Sequence, residues 1–301
     1  MAKVAFLFPG QGAQLVGMGK ALAEQLPAAR ALFDRANALL GYDLAQLCFD
    51  GPQEKLDSTV HSQPALFVCS LAALEKLRYD SPEIVEQCQA AAGLSLGEYT
   101  ALVFAGVMTF DDGLRLVAER GAAMQAAAEL RPSGMVSVLG VEPEPLAAMC
   151  DAARGDDVLQ IANLLCPGNI AISGGAAALD RFVAQAEQDG VRYVRLSVAG
   201  AFHTAIMQPA VERLTKALRD VTMSAPRIPV VSNVDALPHD DPEAIRALLV
   251  RQVVSAVHWE DSLRYLIAQG HDPFYELGPG RVLRGLLKRI DRKLACEGVG
   301  E

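Results

Sequence analysis

The chain has 301 residues, 51% of them hydrophobic, and a formal net charge of −9. That is enough for a large core in one big domain or two, and the negative charge argues against nucleic acid as the main partner. No apolar stretch reaches the length of a membrane span, and the first eight residues are too short for the apolar part of a secretion signal.

Six scattered cysteines without a Cys-x-x-Cys pair fit a reduced, cytoplasmic setting better than disulfides or zinc. The five histidines show no metal-ligand spacing, so no metal is expected. Nothing in the sequence demands more than a monomer.

Apolar periodicity gives the elements in chain order. Residues 4–8 read as a strand that empties into Pro9-Gly10-Gln11-Gly12. Helical spacing follows over 15–26, 28–40 and 64–77. The small apolar run Gln89-Ala90-Ala91-Ala92 leads into Gly93-Leu94-Ser95-Leu96-Gly97 and a helix-compatible stretch over 98–105. A long helix is expected over 111–129. The rhythm then changes: strand 135–141, helix 144–153, strands 158–162 and 169–173, helix 176–189, strand 192–198. That β-α-β-β-α-β order is a split βαβ, or ferredoxin-like, unit. Alternation resumes with helix 205–221, strand 230–232, helices 242–253 and 259–269, strand 273–276 and helix 281–292. The expected class is α/β. A large domain over 1–131 and 199–301 is interrupted by a small subdomain over 132–198, with hinges at Pro132-Ser133-Gly134 and Ala199-Gly200.

Strand, sharp turn and helix with a serine at the apex form a nucleophile elbow, so Ser95 is the candidate nucleophile. The glycines on either side permit the tight backbone, and the turn aims the Leu96 N–H at an oxyanion. A serine nucleophile needs a base. His203, in Gly200-Ala201-Phe202-His203-Thr204, sits where the small unit returns the chain to the large one. Junction loops line clefts, which favours His203 over His61, His239, His258 and His271. No aspartate lies where a hydrolase triad needs one, so a backbone carbonyl is the expected orienting group.

Leu116, Arg120 and Met124, spaced four apart, place a cation within an apolar helical stripe. A buried guanidinium requires an anion. Either an internal Asp or Glu meets Arg120, or a substrate carboxylate does. The loop Gly10-x-Gly12 lacks the third glycine of a dinucleotide fingerprint, because Leu15 stands there. NAD is therefore excluded and no cofactor is expected. The loop can instead supply a second oxyanion N–H.

Several stretches occur together in one order: Phe8-Pro9-Gly10-Gln11-Gly12-Ala13-Gln14, Gly93-Leu94-Ser95-Leu96-Gly97-Glu98-Tyr99, Glu119-Arg120-Gly121, Ile161-Ala162-Asn163, Ala201-Phe202-His203-Thr204, Val250-Arg251-Gln252 and Glu276-Leu277-Gly278-Pro279-Gly280. With these the chain resembles, over essentially its whole length, the malonyl-CoA:acyl carrier protein transacylases of fatty-acid and polyketide synthesis. The resemblance implies an α/β-hydrolase-like large domain with a parallel sheet and a ferredoxin-like insertion. It implies an acylated Ser95, His203 as its base, and an oxyanion hole from the backbone N–H groups of Gln11 and Leu96. It further implies Arg120 on the malonyl carboxylate, Phe202, Met124 and Asn163 at the substrate, and a main-chain carbonyl at Gln252 orienting the histidine. The implied partners are malonyl-CoA and an acyl carrier protein. The local basic face of the C-terminal helix, with Arg281, Arg284 and Lys288, is the expected docking surface for that acidic carrier. A trans-acting polyketide acyltransferase and a serine thioesterase are the alternatives. Two positions depart from the family's usual residues, Leu94 for histidine and Leu165 for asparagine, and Leu94 leaves acyl strictness open. Phe202 is bulky enough to crowd a branched acyl α-carbon.

Overall fold

The computed structural model describes residues 3–300, so residues 1, 2 and 301 of the expected large domain lie outside the described residues. Among the described residues the strands are β1 (Lys3–Phe8), β2 (Cys88–Gly93), β3 (Ser133–Leu139), β4 (Leu159–Cys166), β5 (Asn169–Gly175), β6 (Arg192–Arg195), β7 (Val230–Val231), β8 (Val257–His258), β9 (His271–Leu277) and β10 (Cys296–Val299). They form two five-stranded sheets.

The first sheet runs β10-β9-β1-β2-β7 with every pair parallel. A parallel sheet covered by helices on both faces needs strands that are apolar on both sides. β1 meets this by alternation: Phe6 and Phe8 enter one core cluster, Ala5 and Leu7 the other. The helix Thr59–Asp80 covers the first face and has 15 of its 22 residues buried. It is apolar nearly all round, which marks it as the centre of a core rather than a surface helix.

The second sheet runs β6-β3-β5-β4-β8. Its first four strands pair antiparallel in ferredoxin-like order, and the helices Pro143–Arg154 and Ala176–Gln188 cover one face. Ile170 and Ile172 of β5 point into that small core, whereas Asn169 and Ala171 line a cavity on the opposite face. The fifth strand, β8, comes from the returning chain and pairs parallel with β4. The second sheet therefore draws on residues beyond the 132–198 stretch expected from the sequence.

Several local expectations shift. The helix expected over 15–26 forms only at Lys20–Gln25, because Gly17 and Gly19 adopt φ of 99° and 75°, outside the helical region. The helix expected from Pro64 begins at Thr59 and carries the proline inside it. Short helices at Leu44–Asp50, Gln53–Asp57 and Pro82–Glu86, and the strands β8 and β10, have no counterpart in the periodicity. The helix expected over 281–292 is Val282–Ile290, and that expected over 205–221 opens with a 3-10 turn, Ala205–Met207, before Gln208–Arg219.

Candidate active site

Ser95 stands between β2 and the elbow helix Leu96–Phe104 with φ 50° and ψ −98°, a strained conformation for a residue with a Cβ. The flanking glycines are required by space. A Cβ on Gly93 would lie 1.9 Å from the Gly97 carbonyl carbon, and one on Gly97 would lie 2.1 Å from the Phe8 carbonyl oxygen. Asn233, buried just after β7, clamps the turn. Its Oδ1 accepts from the Ser95 N–H at 2.6 Å and its Nδ2 donates to the Gly93 carbonyl at 2.8 Å.

His203 comes from the loop that returns the chain to the large sheet, and it too has positive φ, 61°. Its Nε2 lies 2.9 Å from Ser95 Oγ. Its Nδ1 lies 2.9 Å from the Gln252 main-chain oxygen. Gln252 is the last residue of the helix Pro242–Gln252, where carbonyls have no partner within the helix. A carbonyl can only accept, so Nδ1 carries the proton and Nε2 is left as the acceptor for the serine hydroxyl. Burial, reinforced by the Arg120 charge, lowers the histidine to about 4. The imidazole is therefore neutral at neutral pH and able to take the serine proton.

Arg120 lies on the helix Phe110–Glu129 and is 1% exposed. The next residue, Gly121, lets this helix press against the central one, since a Cβ there would sit 2.5 Å from the Thr59 carbonyl oxygen. Arg120 Nη1 donates to Gln63 Oε1 at 2.8 Å, and Nη2 donates to both Ser95 Oγ and Gln252 Oε1 at 2.9 Å. The Tyr99 ring centroid lies 5.3 Å from its guanidinium carbon. Its Nε has no partner. Among the described residues no carboxylate forms an ion pair with Arg120. Of the two alternatives for this cation, an internal Asp or Glu in direct contact is therefore set aside.

A cavity of about 280 Å³ joins these groups. Gln11, Ser95, Leu96, Arg120, Met124, Asn163, Phe202 and His203 all line it, while Gln252 stands behind the histidine, 1% exposed. Leu94 and Leu165 also line it, next to Leu196, Val198 and Leu286, so its outer part is apolar. Among the described residues nothing accepts a hydrogen bond from the N–H of Leu96, the first residue of the elbow helix, or from that of Gln11. A wider groove of about 610 Å³ between the helices Phe110–Glu129 and Gln208–Arg219 has walls carrying both signs of charge and is lined by no serine, cysteine or histidine.

Three polar residues of the site escaped the sequence reading: Gln63, Asn233 and the function of Glu98. A glutamate inside the otherwise apolar elbow helix, and a glutamine inside a buried helix, were the available signals. Glu98 is buried, accepts from Gln252 Nε2 at 2.6 Å and from the Asn233 N–H at 3.1 Å, and burial pushes its carboxyl up to about 7.

The basic C-terminal helix is less open than its sequence implies. Glu276, fully buried at the end of β9, accepts from the Leu283 and Arg284 N–H groups at 2.9 Å each and pairs with the Arg284 side chain at 3.4 Å. Arg284 thus anchors the helix start. Arg289 donates to the Pro167 and Gly168 carbonyls; of the expected docking set, Arg281 and Lys288 are exposed.

The family model for the acyl transferase domain matches residues 5–293. The mitochondrial malonyl-CoA–acyl carrier protein transacylase of Mus musculus is 44% identical over 300 residues, covering 95% of this chain and 78% of that protein. The malonyl CoA–acyl carrier protein transacylase of Bacillus subtilis is 41% identical over 305 residues, covering 100% and 94%. A malonyl-transacylase solved in complex with its type II PKS acyl-carrier protein superposes with a TM-score of 0.95 at 36% identity, covering 100% of this chain and 96% of that one. With an elbow serine, a carbonyl-held histidine and a buried arginine on one cavity, the chain belongs to the malonyl-CoA–acyl carrier protein transacylase family.

Proposed function

We propose that this chain moves a malonyl group from malonyl-CoA to the phosphopantetheine thiol of an acyl carrier protein through a malonyl-Ser95 ester. The observation that carries the reading is Arg120: a buried cation with only neutral direct partners, one of which is the oxygen that would be acylated. A carboxylated acyl group supplies an anion in direct contact, beside the reacting carbonyl.

In the first half-reaction His203 Nε2 takes the Ser95 proton as Oγ attacks the thioester carbonyl. The oxyanion is received by the N–H groups of Gln11 and Leu96, each worth roughly 3 kcal/mol. The carbon–sulfur bond breaks, the proton passes from His203 to the departing CoA sulfur, and the serine ester remains. In the second half the carrier thiol gives its proton to His203 and attacks the ester, and the proton returns to Ser95 Oγ as the acyl group leaves. Seating a carboxylate on Arg120 also offsets a charge that lowers His203, so the base gains proton affinity when the right acyl group is present. The malonyl group arrives on CoA and the accepting thiol on the carrier, so the reaction as written calls for no cofactor. All the residues given a role lie in one chain, which supports a monomeric working unit.

Intact-mass measurement after mixing with malonyl-CoA alone should show one malonyl adduct that Ser95→Ala abolishes. An unmodified protein, or an adduct that survives the substitution, overturns the reading. Release of free malonate in preference to carrier acylation would favour a thioesterase instead.

A fatty-acid carrier is the primary acceptor in this reading; a polyketide carrier is the second, favoured by the related complex with a type II PKS carrier. Comparing saturation of the two carriers decides between them. Lys288→Glu, at the exposed part of the basic helix, should raise the KM for an acidic carrier; an unchanged KM removes this face from docking. Five buried cysteines, all unpaired, support a reduced cytoplasmic location, and no helix among the described residues is long and apolar enough to cross a membrane.

A further inference from the structure

Glu98 is a buried carboxylate, 3% exposed, that takes no part in the proton transfers written above. Its surroundings give it a different task. Oε2 accepts from two residues at once, the Gln252 side-chain amide and the Asn233 backbone N–H, and the nearby Ser232 hydroxyl also favours the ionised form. Between them Asn233 and Gln252 touch the serine turn, the histidine and the guanidinium. Asn233 brackets the Ser95 turn through its Oδ1 and Nδ2. Gln252 holds His203 by its main-chain oxygen, Arg120 by Oε1, and the Ser95 carbonyl by Nε2 at 3.0 Å.

We infer that Glu98 is a positioning residue of the transfer reaction, one carboxylate oxygen that grips Asn233 and Gln252 together and so sets nucleophile, base and guanidinium relative to one another. The inference rests on the proposed roles of Ser95, His203 and Arg120. Its physical core is the orientation of the Gln252 amide. That amide has two hydrogens and one acceptor oxygen. The ionised Glu98 and the Ser95 carbonyl can only accept, so both hydrogens face them and the oxygen is left to Arg120. Were Glu98 neutral, it could offer a hydrogen of its own, and the amide could turn its NH₂ group toward the guanidinium, two donors face to face. The carboxylate thus enforces the contact that holds Arg120 beside Ser95.

Protonation should release the same grip. The groups that act on Glu98 are few. Arg120 faces it from the helix Phe110–Glu129 and Tyr99 is its neighbour on the elbow helix. Neutral donors come from Asn233 and Gln252, the Ser232 hydroxyl lies nearby, and His203 is linked through the Gln252 carbonyl. Tyr99 is pushed up to about 12 and His203 down to about 4, while Arg120 remains a cation. Glu98, at about 7, is the member of this set that titrates in the neutral range.

The test uses the whole protein with malonyl-CoA and a holo carrier, comparing wild type with Glu98→Gln and Glu98→Asp. For Glu98→Gln, kcat is expected to fall roughly tenfold to a hundredfold, the cost of a small misplacement of reacting groups, with KM for malonyl-CoA changed less than about threefold. The wild-type profile of kcat/KM should lose activity on the acid side with a midpoint near 7. That limb should vanish in Glu98→Gln, a comparison that also subtracts titrations belonging to the substrate. Glu98→Asp should retain a limb at a reduced rate. A Glu98→Gln protein with wild-type kcat and an unshifted profile overturns the inference, even though malonyl-Ser95 forms. Failure of wild type to form that ester sinks the transferase reading instead. If Glu98→Gln does not fold, the wild-type profile decides: an acid limb only below about 5, where His203 alone would titrate, counts against Glu98.

Discussion

The two walls of the cavity are built on opposite plans. The wall that belongs to the parallel sheet presents Ser95, His203 and Arg120, whose polar atoms are tied to Gln63, Gln252, Asn233 and Glu98 over 2.6–3.1 Å. The opposite wall, from the antiparallel sheet and its outgoing loop, presents Met135, Asn163, Leu165, Ala171 and Val198, mostly apolar surface. A densely connected buried polar set fixes geometry, because a residue that moves leaves its partners unsatisfied. An apolar wall fixes only shape. Reactivity and recognition of the acyl charge thus share one wall, while the other contributes mainly to the shape of the cavity.

The sharpest way to break this comparison is at Arg120. Arg120→Ala should lower kcat/KM for malonyl-CoA by about 10²–10³, the loss of a buried charged group at the reacting centre, and shift preference toward uncharged acyl-CoA esters. A panel of acyl-CoA esters reads both effects; unchanged selectivity would make the arginine structural. On the shape side, Phe202→Ala should improve methylmalonyl-CoA relative to malonyl-CoA by roughly tenfold, with Ser95 acylation itself little changed, since pocket volume gives discrimination of that order. An unaltered ratio in the same panel would remove Phe202 from acyl selection.

The smallest expected effect is on stability against pH. His203 titrates at about 4 in the folded chain against an ordinary 6.5, so in that window the unfolded chain binds a proton that the folded one does not. Its contribution to stability falls as pH drops from 6.5 to about 4. Glu98 is the reverse. With a folded value of about 7 against 4.5, it holds a proton that the unfolded chain lacks, and stability falls as pH rises through that window. His203→Asn should therefore gain in Tm relative to wild type as pH is lowered, and Glu98→Gln as pH is raised. Thermal melts between pH about 5 and about 7.5 would show the opposite slopes, and parallel curves would mean that neither group titrates as its burial implies.

What the sequence disclosed follows from range. The elbow is local, since five residues carry it, and the split βαβ unit is legible because each strand and helix is long enough to show its period. Arg120 was legible as a cation in an apolar stripe, but its lack of a contacting carboxylate was not. Asn233 was hidden because it meets Ser95 across 138 residues, and Gln63 because its helix is buried on nearly every side and shows no face. β8, two residues long, has no period to detect. Arg284 looked like a surface cation because nothing near it in sequence reveals that Glu276 is fully buried beside it. The main-chain carbonyl of Gln252 was reachable only through the family resemblance.

That two-residue strand has a mechanical consequence. His258 donates its N–H to the carbonyl of Asn233 at 2.8 Å, while Val257 and His258 pair with Asn163 and Leu164 of β4. The strip is a seam sewn between the clamp on the serine turn and the far side of the cavity. Any swing of the antiparallel sheet away from its partner must tear the ladder at Asn163 or drag Asn233, and with it the serine. The two halves are thereby geared together, and the spacing between Ser95 and the opposite side is held as a fixed gauge rather than by a door free to open.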